Sequence, residues 1–177
     1  PLHCMFHRHN RELDLVHWAI DRDVKNGIKE ANSLFRTPST ATRLLRTVFF
    51  SSQGQELLKH ILLPTIRKIW KVSVKIELNA VRLPPPDPND PNEVEDTIKH
   101  SLKLILGFAD NVLNMVFKSV KGVPVTIRKF LLYARNTVIG VTHENGEADE
   151  DTATQLVVAS LFFLRFICPA FVTPHAY

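Results

Sequence analysis

Apolar residues recur along this 177-residue chain at helical spacing, and no strand-like alternation of any length interrupts them. The longest apolar run lies near the end, from Thr152 to Pro174, and between Leu156 and Ile167 nearly every residue is apolar. A helix that is apolar on every side is buried on every side, in a bundle or in a bilayer. This run falls short of the ~20 residues a bilayer requires, and it contains Arg165. It therefore reads as the central helix of a helical domain. Asp149, Glu150 and Asp151 suit its N-terminus, and Pro169 and Pro174 mark where it should stop.

The same periodicity sets out the elements before it. Leu2 to Lys25 carries Leu2, Phe6, Leu13, Val16, Trp18 and Ile20 among polar residues, with Asn26-Gly27 as a helix stop. Ala41, Leu44, Leu45, Val48 and Phe49 fall on one helical face, and Thr37 as cap with Pro38 in first position would start that helix. Gln53 to Trp70 presents Leu57, Leu58, Ile61, Leu62, Ile66 and Ile69, and Pro64 should kink it. Residues 83–93 form a Pro-rich loop, Pro84-Pro85-Pro86-Asp87-Pro88-Asn89-Asp90-Pro91, which cannot continue a helix. Val94 to Val120 predicts a long amphipathic helix with Val94, Ile98, Leu102, Ile105, Ala109, Val112 and Val116 towards a core. Lys121-Gly122-Val123-Pro124 ends it, and Val125 to Val141 turns Ile127, Phe130, Leu131, Ala134, Val138 and Val141 inward. The expected fold is all-α, six or seven helices in a single domain over residues 1–177.

Composition changes this picture little. Hydrophobic residues at 45% and charged residues at 23% provide for one domain with a real core. The net charge of +4 is spread along the chain, so it marks no nucleic-acid footprint. A basic face equally suits an acidic protein surface or an anionic membrane. Cys4 and Cys168 are far apart, which fits free thiols in a reducing compartment better than a disulfide scaffold. His3, His7 and His9 look ligand-like, yet no acidic or thiol set completes a metal site, and none is expected. Starting at Pro1 and stopping at Tyr177 just past a helix end, the chain reads as a fragment cut from a longer protein.

Two arginines stand out. Arg165, in the most apolar helix, needs its donors satisfied; it either snorkels to the surface or caps carbonyls, or it braces a loop from elsewhere in the chain. Arg36 sits just ahead of a helix start, where the dipole disfavours a cation. It is either a solvated surface residue or a functional one. Lys121, Arg128, Lys129 and Arg135 are by default a solvated face. The chain has no phosphate-binding G-x-x-x-x-G-K-[ST], no G-x-S-x-G and no Cys-x-x-Cys, so an autonomous hydrolase or transferase is not indicated.

The two arginines meet in one resemblance. Ser33-Leu34-Phe35-Arg36, followed by Ser39, Ala41 and Thr42, resembles the finger-loop motif of the Ras GTPase-activating protein family. Phe163-Leu164-Arg165, continuing through Cys168-Pro169-Ala170 to Pro174, resembles that family's F-L-R-x-x-x-P-A signature, and Leu62 to Ile69 adds a weaker match. The resemblance implies a helical GTPase-activating domain truncated at its C-terminal end. It implies that Arg36 is an arginine finger acting in trans and that Arg165 stabilises the finger loop. It places Leu34, Phe35, Thr37, Leu164, Arg128 and Lys129 at the partner surface, with Phe163, Pro169 and Ala170 as structural members of the signature.

The implied partner is a Ras-family small GTPase, with no nucleic acid and no cofactor of the chain's own, since GTP and magnesium belong to the GTPase. A cytoplasmic monomer is expected, recruited to the inner face of the plasma membrane, if at all, through domains outside this fragment. The alternative is a non-catalytic GTPase-binding or scaffold module of the same fold. The chain departs from the family pattern at Pro38, where an Asn is usual, at Arg43, where a Lys is frequent, and in the Pro-rich insertion. Pro38 stiffens the loop and removes a side-chain hydrogen bond, which bears on loop geometry more than on chemistry.

Overall fold

The computed structural model describes residues 11–27, 34–85, 90, 92–144 and 150–173. His3, Cys4, His7, His9, Ser33, most of the Pro-rich run and Pro174 lie outside them. Among the described residues there is no strand. Helices α1 (Glu12–Gly27), α2 (Thr40–Phe49), α3 (Ser52–Trp70), α4 (Glu93–Lys118), α5 (Val125–Glu144) and α6 (Glu150–Val172) follow one another. Single 3₁₀ turns stand at Ala80–Arg82 and Val120–Gly122. The fold is all-α, and the chain divides into two compact units. One comprises residues 1–58 and 123–177; the other comprises residues 59–122.

In the first unit α1 packs on α2 and α5, and α6 lies against α2 and α5. Its core is Val16, Ile20 and Val24 of α1, Leu45 and Phe49 of α2, Ile127, Phe130 and Val138 of α5, and Val157, Leu161 and Phe166 of α6. In α1, α2 and α5 these residues recur at three- and four-residue intervals or their multiples, the spacing that stacks them on one helix face, whereas Leu161 and Phe166 stand five apart in the π-helical part of α6. Phe49 and Phe50 both meet the Phe166 ring, at 5.2 and 5.7 Å. Gly54, in the first turn of α3, sits so close to the Phe49 carbonyl that a Cβ there would meet its oxygen at 1.8 Å. Only glycine permits this tight passage from α2 into α3.

α2 begins later than Thr37 and Pro38 would suggest. Its N-cap is Ser39, whose hydroxyl accepts the Thr42 N–H at 3.1 Å, while Thr42 Oγ1 accepts the Ser39 N–H at 2.8 Å. This reciprocal pair satisfies two backbone donors together, a better solution than a lone Thr37 cap. It leaves Pro38 just outside the helix.

α6 is one helix of 23 residues with three hydrogen-bonding regimes: α over Glu150–Val157, π over Val158–Ile167, and α again over Cys168–Val172. By length and mean hydropathy it could cross a membrane, unlike the shorter run seen in the sequence. Its Ala153, Val157, Leu161, Phe162, Phe166, Ile167 and Ala170 are instead buried in the first unit. Two expectations are corrected. The helix is not buried all round: Ala159, Leu164 and Cys168 are exposed. It also runs through Pro169, because the Cys168 N–H reaches back to the Phe163 carbonyl and the widened turn leaves the proline ring room.

The second unit holds the end of α3, the segment to Leu83 and α4. Ile61, Leu62 and Thr65 are buried there, and the Glu77 N–H donates to Ser101 Oγ on α4 at 3.3 Å. On α4 the expected core face is largely open. Of its seven positions Val116 is buried, whereas Leu102, Ile105 and Ala109 are exposed. Periodicity locates an apolar stripe but not what covers it.

Candidate functional site

The site is a short loop held from below. Leu34 and Phe35 are each only 3% exposed, so their side chains anchor the loop from within rather than facing a partner. Phe35 has a positive φ of 60°. This left-handed turn is disfavoured for a bulky residue, and its buried ring keeps it in place. The turn reverses the chain and leaves the next side chains, Arg36 and Thr37, exposed. The Ser39–Thr42 capping pair fixes the far end of the loop onto α2.

Arg165 joins the two motifs. Its Nε donates to the Phe35 carbonyl at 3.0 Å, and its Nη2 donates to the Arg36 carbonyl. A planar guanidinium presents its donors in a fixed fork, so one side chain can hold two successive carbonyls. This satisfies the charge that looked costly in so apolar a helix. Of the two readings open for Arg165, the bracing geometry is the one observed. Leu164 is 43% exposed beside it, Phe163 is half-buried edge-on to Phe162 at 5.7 Å, Pro169 is half-buried and Ala170 is buried.

Two clefts flank the loop. One, of about 200 Å³, is lined by Asp23, Asn26, Gly27, Leu34, Phe35, Thr37 and Ser39. The other, of about 270 Å³, is lined by Pro38, Thr42, Arg43, Arg46, Phe50, Arg165 and Pro169. No carboxylate lies between Glu30 and Glu56 or after Asp151, so both segments that build the site are purely cationic. Sequence periodicity did not assemble this arginine cluster; the acid-free runs were its signal.

Arg128 and Lys129 are exposed near the start of α5, and no hydrogen bond or ion pair among the described residues ties them to the loop. Arg135 is not part of a solvated face. Its Nη2 pairs with Glu150 at 2.7 Å and its Nε donates to Thr154 at 2.7 Å, joining α5 to α6. A further polar cluster escaped the sequence. His17 stacks on Tyr133 at 3.7 Å, and the Tyr133 hydroxyl donates to the Asp21 carboxylate at 2.9 Å. Burial lowers the His17 pKa against the pull of Asp14 and Asp21. Burial first, then Asp21, raises the Tyr133 pKa. Among the described residues no group of side chains is arranged to hold a metal ion.

An all-α fold with an exposed arginine on a loop braced by a second arginine defines a class. The family model for "GTPase-activator protein for Ras-like GTPase" matches residues 15–177, and the chain belongs to that family. Ras GTPase-activating protein 2 of Rattus norvegicus is 26% identical over 177 residues, which is 100% of this chain and 19% of the relative. RasGAP-activating-like protein 1 of Mus musculus is 23% identical over 160 residues, covering 84% of this chain and 19% of that protein. A probable Ras GTPase-activating-like protein, ngap, of Dictyostelium discoideum is 23% identical over 173 residues, covering 98% and 18%. The chain thus spans less than a fifth of the length of these curated relatives. No solved structure matches it.

Proposed function

We propose that this chain stimulates GTP hydrolysis by a Ras-family small GTPase by inserting Arg36 into the partner's active site. The observation that carries the reading is the Arg165 fork on the carbonyls of Phe35 and Arg36, with the Arg36 side chain exposed beyond it. Negative charge spreads over the phosphate oxygens as the γ-phosphoryl group leaves. A guanidinium already in place stabilises that charge without reorganising in the transition state. Arg165 is then a positioning residue: it orders the loop before the partner arrives and so removes an entropic cost from the encounter. Arg36, Thr37 and Leu164 form the contact surface, extended by Arg128 and Lys129 towards an acidic partner. The chain supplies no substrate site or cofactor of its own; GTP and magnesium are the partner's. The setting this reading implies is cytoplasmic, with the chain acting as a monomer.

Single-turnover GTP hydrolysis by a Ras protein, with and without Arg36→Ala, tests the proposal. The expected result is acceleration by the native chain that is lost in the variant while binding is largely kept. Ras with its activating protein is the established example of such donation. Its finger is worth about 10³–10⁵ in kcat, a value belonging to that system and not obtained from this geometry. Binding without acceleration in either form would assign a non-catalytic GTPase-binding module instead.

A further inference from the structure

We propose that the surface from Arg67 to Arg82, in the second unit, docks directly onto an anionic phospholipid bilayer. α3 ends at Trp70, whose indole is 79% exposed, and Val81 in the following 3₁₀ turn is 90% exposed. Val74 and Leu78, between them, are exposed as well. Interleaved with these apolar tips are Arg67, Lys68, Lys71, Lys75 and Arg82, all exposed. The chain carries no carboxylate between Glu56 and Glu77. Glu77 is the one acid in the segment, and its Oε1 accepts the backbone N–H groups of Leu78 and Asn79, each at 3.0 Å.

Glu77 lies within coulombic reach of Arg82 and Lys75, so the segment carries a net cationic excess rather than five unopposed charges. Among the described residues none of the five forms an ion pair. Lys68 donates to the Asn111 amide oxygen at 2.8 Å. Lys75 donates to the Arg82 carbonyl at 3.4 Å, which folds the segment back so that Lys75 stands beside the turn bearing Val81. The other tryptophan makes a useful contrast. Trp18 is covered by the Arg22 guanidinium at 5.5 Å from its ring, whereas Trp70 has no ring or cation contact among the described residues.

An exposed indole amid aliphatic tips and a net excess of cations matches the chemistry of a headgroup layer. The indole sits at the boundary, the valines and leucine enter the upper acyl region, and the ammonium groups reach lipid phosphates and carboxylates. Single-stranded nucleic acid fits less well, because bases stack on successive aromatic platforms and this segment has one aromatic residue. A second copy fits less well because it would oppose two faces that each carry a net excess of cations.

The test uses the full chain carrying Trp18→Phe, so that Trp70 alone reports. Vesicles are phosphatidylcholine, with or without about one-third phosphatidylserine. The expected result is co-sedimentation and a blue-shifted Trp70 emission with the anionic vesicles only. Lys71→Glu with Lys75→Glu should lower the partition coefficient by about tenfold or more. Trp70→Ala in the native background should also weaken sedimentation, and all variants should keep native circular dichroism because the residues are exposed. The proposal is overturned by equal binding to neutral vesicles, by no binding to anionic ones, or by binding that neither variant reduces. It is equally overturned if light scattering shows a dimer that Trp70→Ala dissolves, or if an oligonucleotide binds through Lys71 and Lys75 while vesicles do not.

Discussion

Arg165 Nε lies 3.0 Å from the carbonyl oxygen of Phe35, a residue 130 positions earlier in the chain. One side chain on α6 thus sets the backbone of a loop that would otherwise be ordered only at its ends. Arg165→Ala removes two charge-assisted hydrogen bonds of about 1.5–3 kcal/mol each. Part of that loss is offset because Leu34 and Phe35 stay buried. The expected outcome is a stimulated hydrolysis rate lower by about 10–100-fold, with GTPase affinity much less affected. Arg165→Lys should restore little, since a point-like ammonium cannot span both carbonyls. Parallel loss of affinity and rate would point to general unfolding instead, and thermal melts of the two variants would show it.

Phe35 combines a buried ring with left-handed backbone, and the two features respond differently to substitution. Removing the ring costs about 3–5 kcal/mol. Relieving the backbone returns roughly 1–2 kcal/mol, and only glycine does so. Phe35→Gly and Phe35→Ala should therefore both destabilise, with alanine the worse of the two. Urea denaturation would check this order. The reverse order would mean that the loop relaxes out of the left-handed turn.

Gly54 makes a sharper steric case. A methyl group there would stand 1.8 Å from the Phe49 carbonyl oxygen, and backbone cannot give way as a flexible side chain can. Gly54→Ala should cost at least about 2 kcal/mol, despite alanine's better helix propensity. A melting temperature equal to the native one would refute the close passage of α2 into α3.

The His17–Tyr133–Asp21 cluster joins α1 to α5 and makes stability depend on pH. Burial depresses the His17 pKa below its ordinary 6.5. The unfolded chain therefore takes up a proton before the folded one does. Stability from this source is full above about pH 6.5 and is lost as pH falls towards the folded value. His17→Gln should lessen the drop in melting temperature between neutral and mildly acidic pH. Tyr133→Phe, which deletes the hydrogen bond to Asp21, should cost roughly 1–2 kcal/mol at neutral pH.

Most of the helices could be read from the chain because their apolar positions repeat where real faces are buried, as Ile127, Phe130, Ala134 and Val138 show on α5. α4 could not be read so well. Leu102 and Ile105 have the right spacing but no cover, and spacing carries no information about neighbours. The start of α2 was misplaced because Thr37 and Pro38 satisfy a local preference, whereas Ser39 and Thr42 satisfy each other. In the site, Arg36 and Arg165 are legible because each is electrically out of place in its helical setting, apart from any family likeness. The fork between them could not be read, since it depends on a left-handed turn at Phe35 and a π-helical stretch that no local preference foretells. The Tyr133–Asp21 bond, 112 residues apart in the chain, likewise depends on packing alone.

The acid-free runs on either side of Arg36 and Arg165 bear on kinetics rather than on equilibrium. Two cationic segments without carboxylates, with Asp23 of α1 the acid at the flanking cleft, attract an anionic partner from a distance of about one Debye length, roughly 10 Å at moderate ionic strength. Under the proposed function, Arg36 and Arg165 work, once chain and partner are docked, in a space from which bulk ions are excluded. Added salt should therefore reduce the association rate constant steeply while leaving the hydrolysis rate of the saturated complex nearly level.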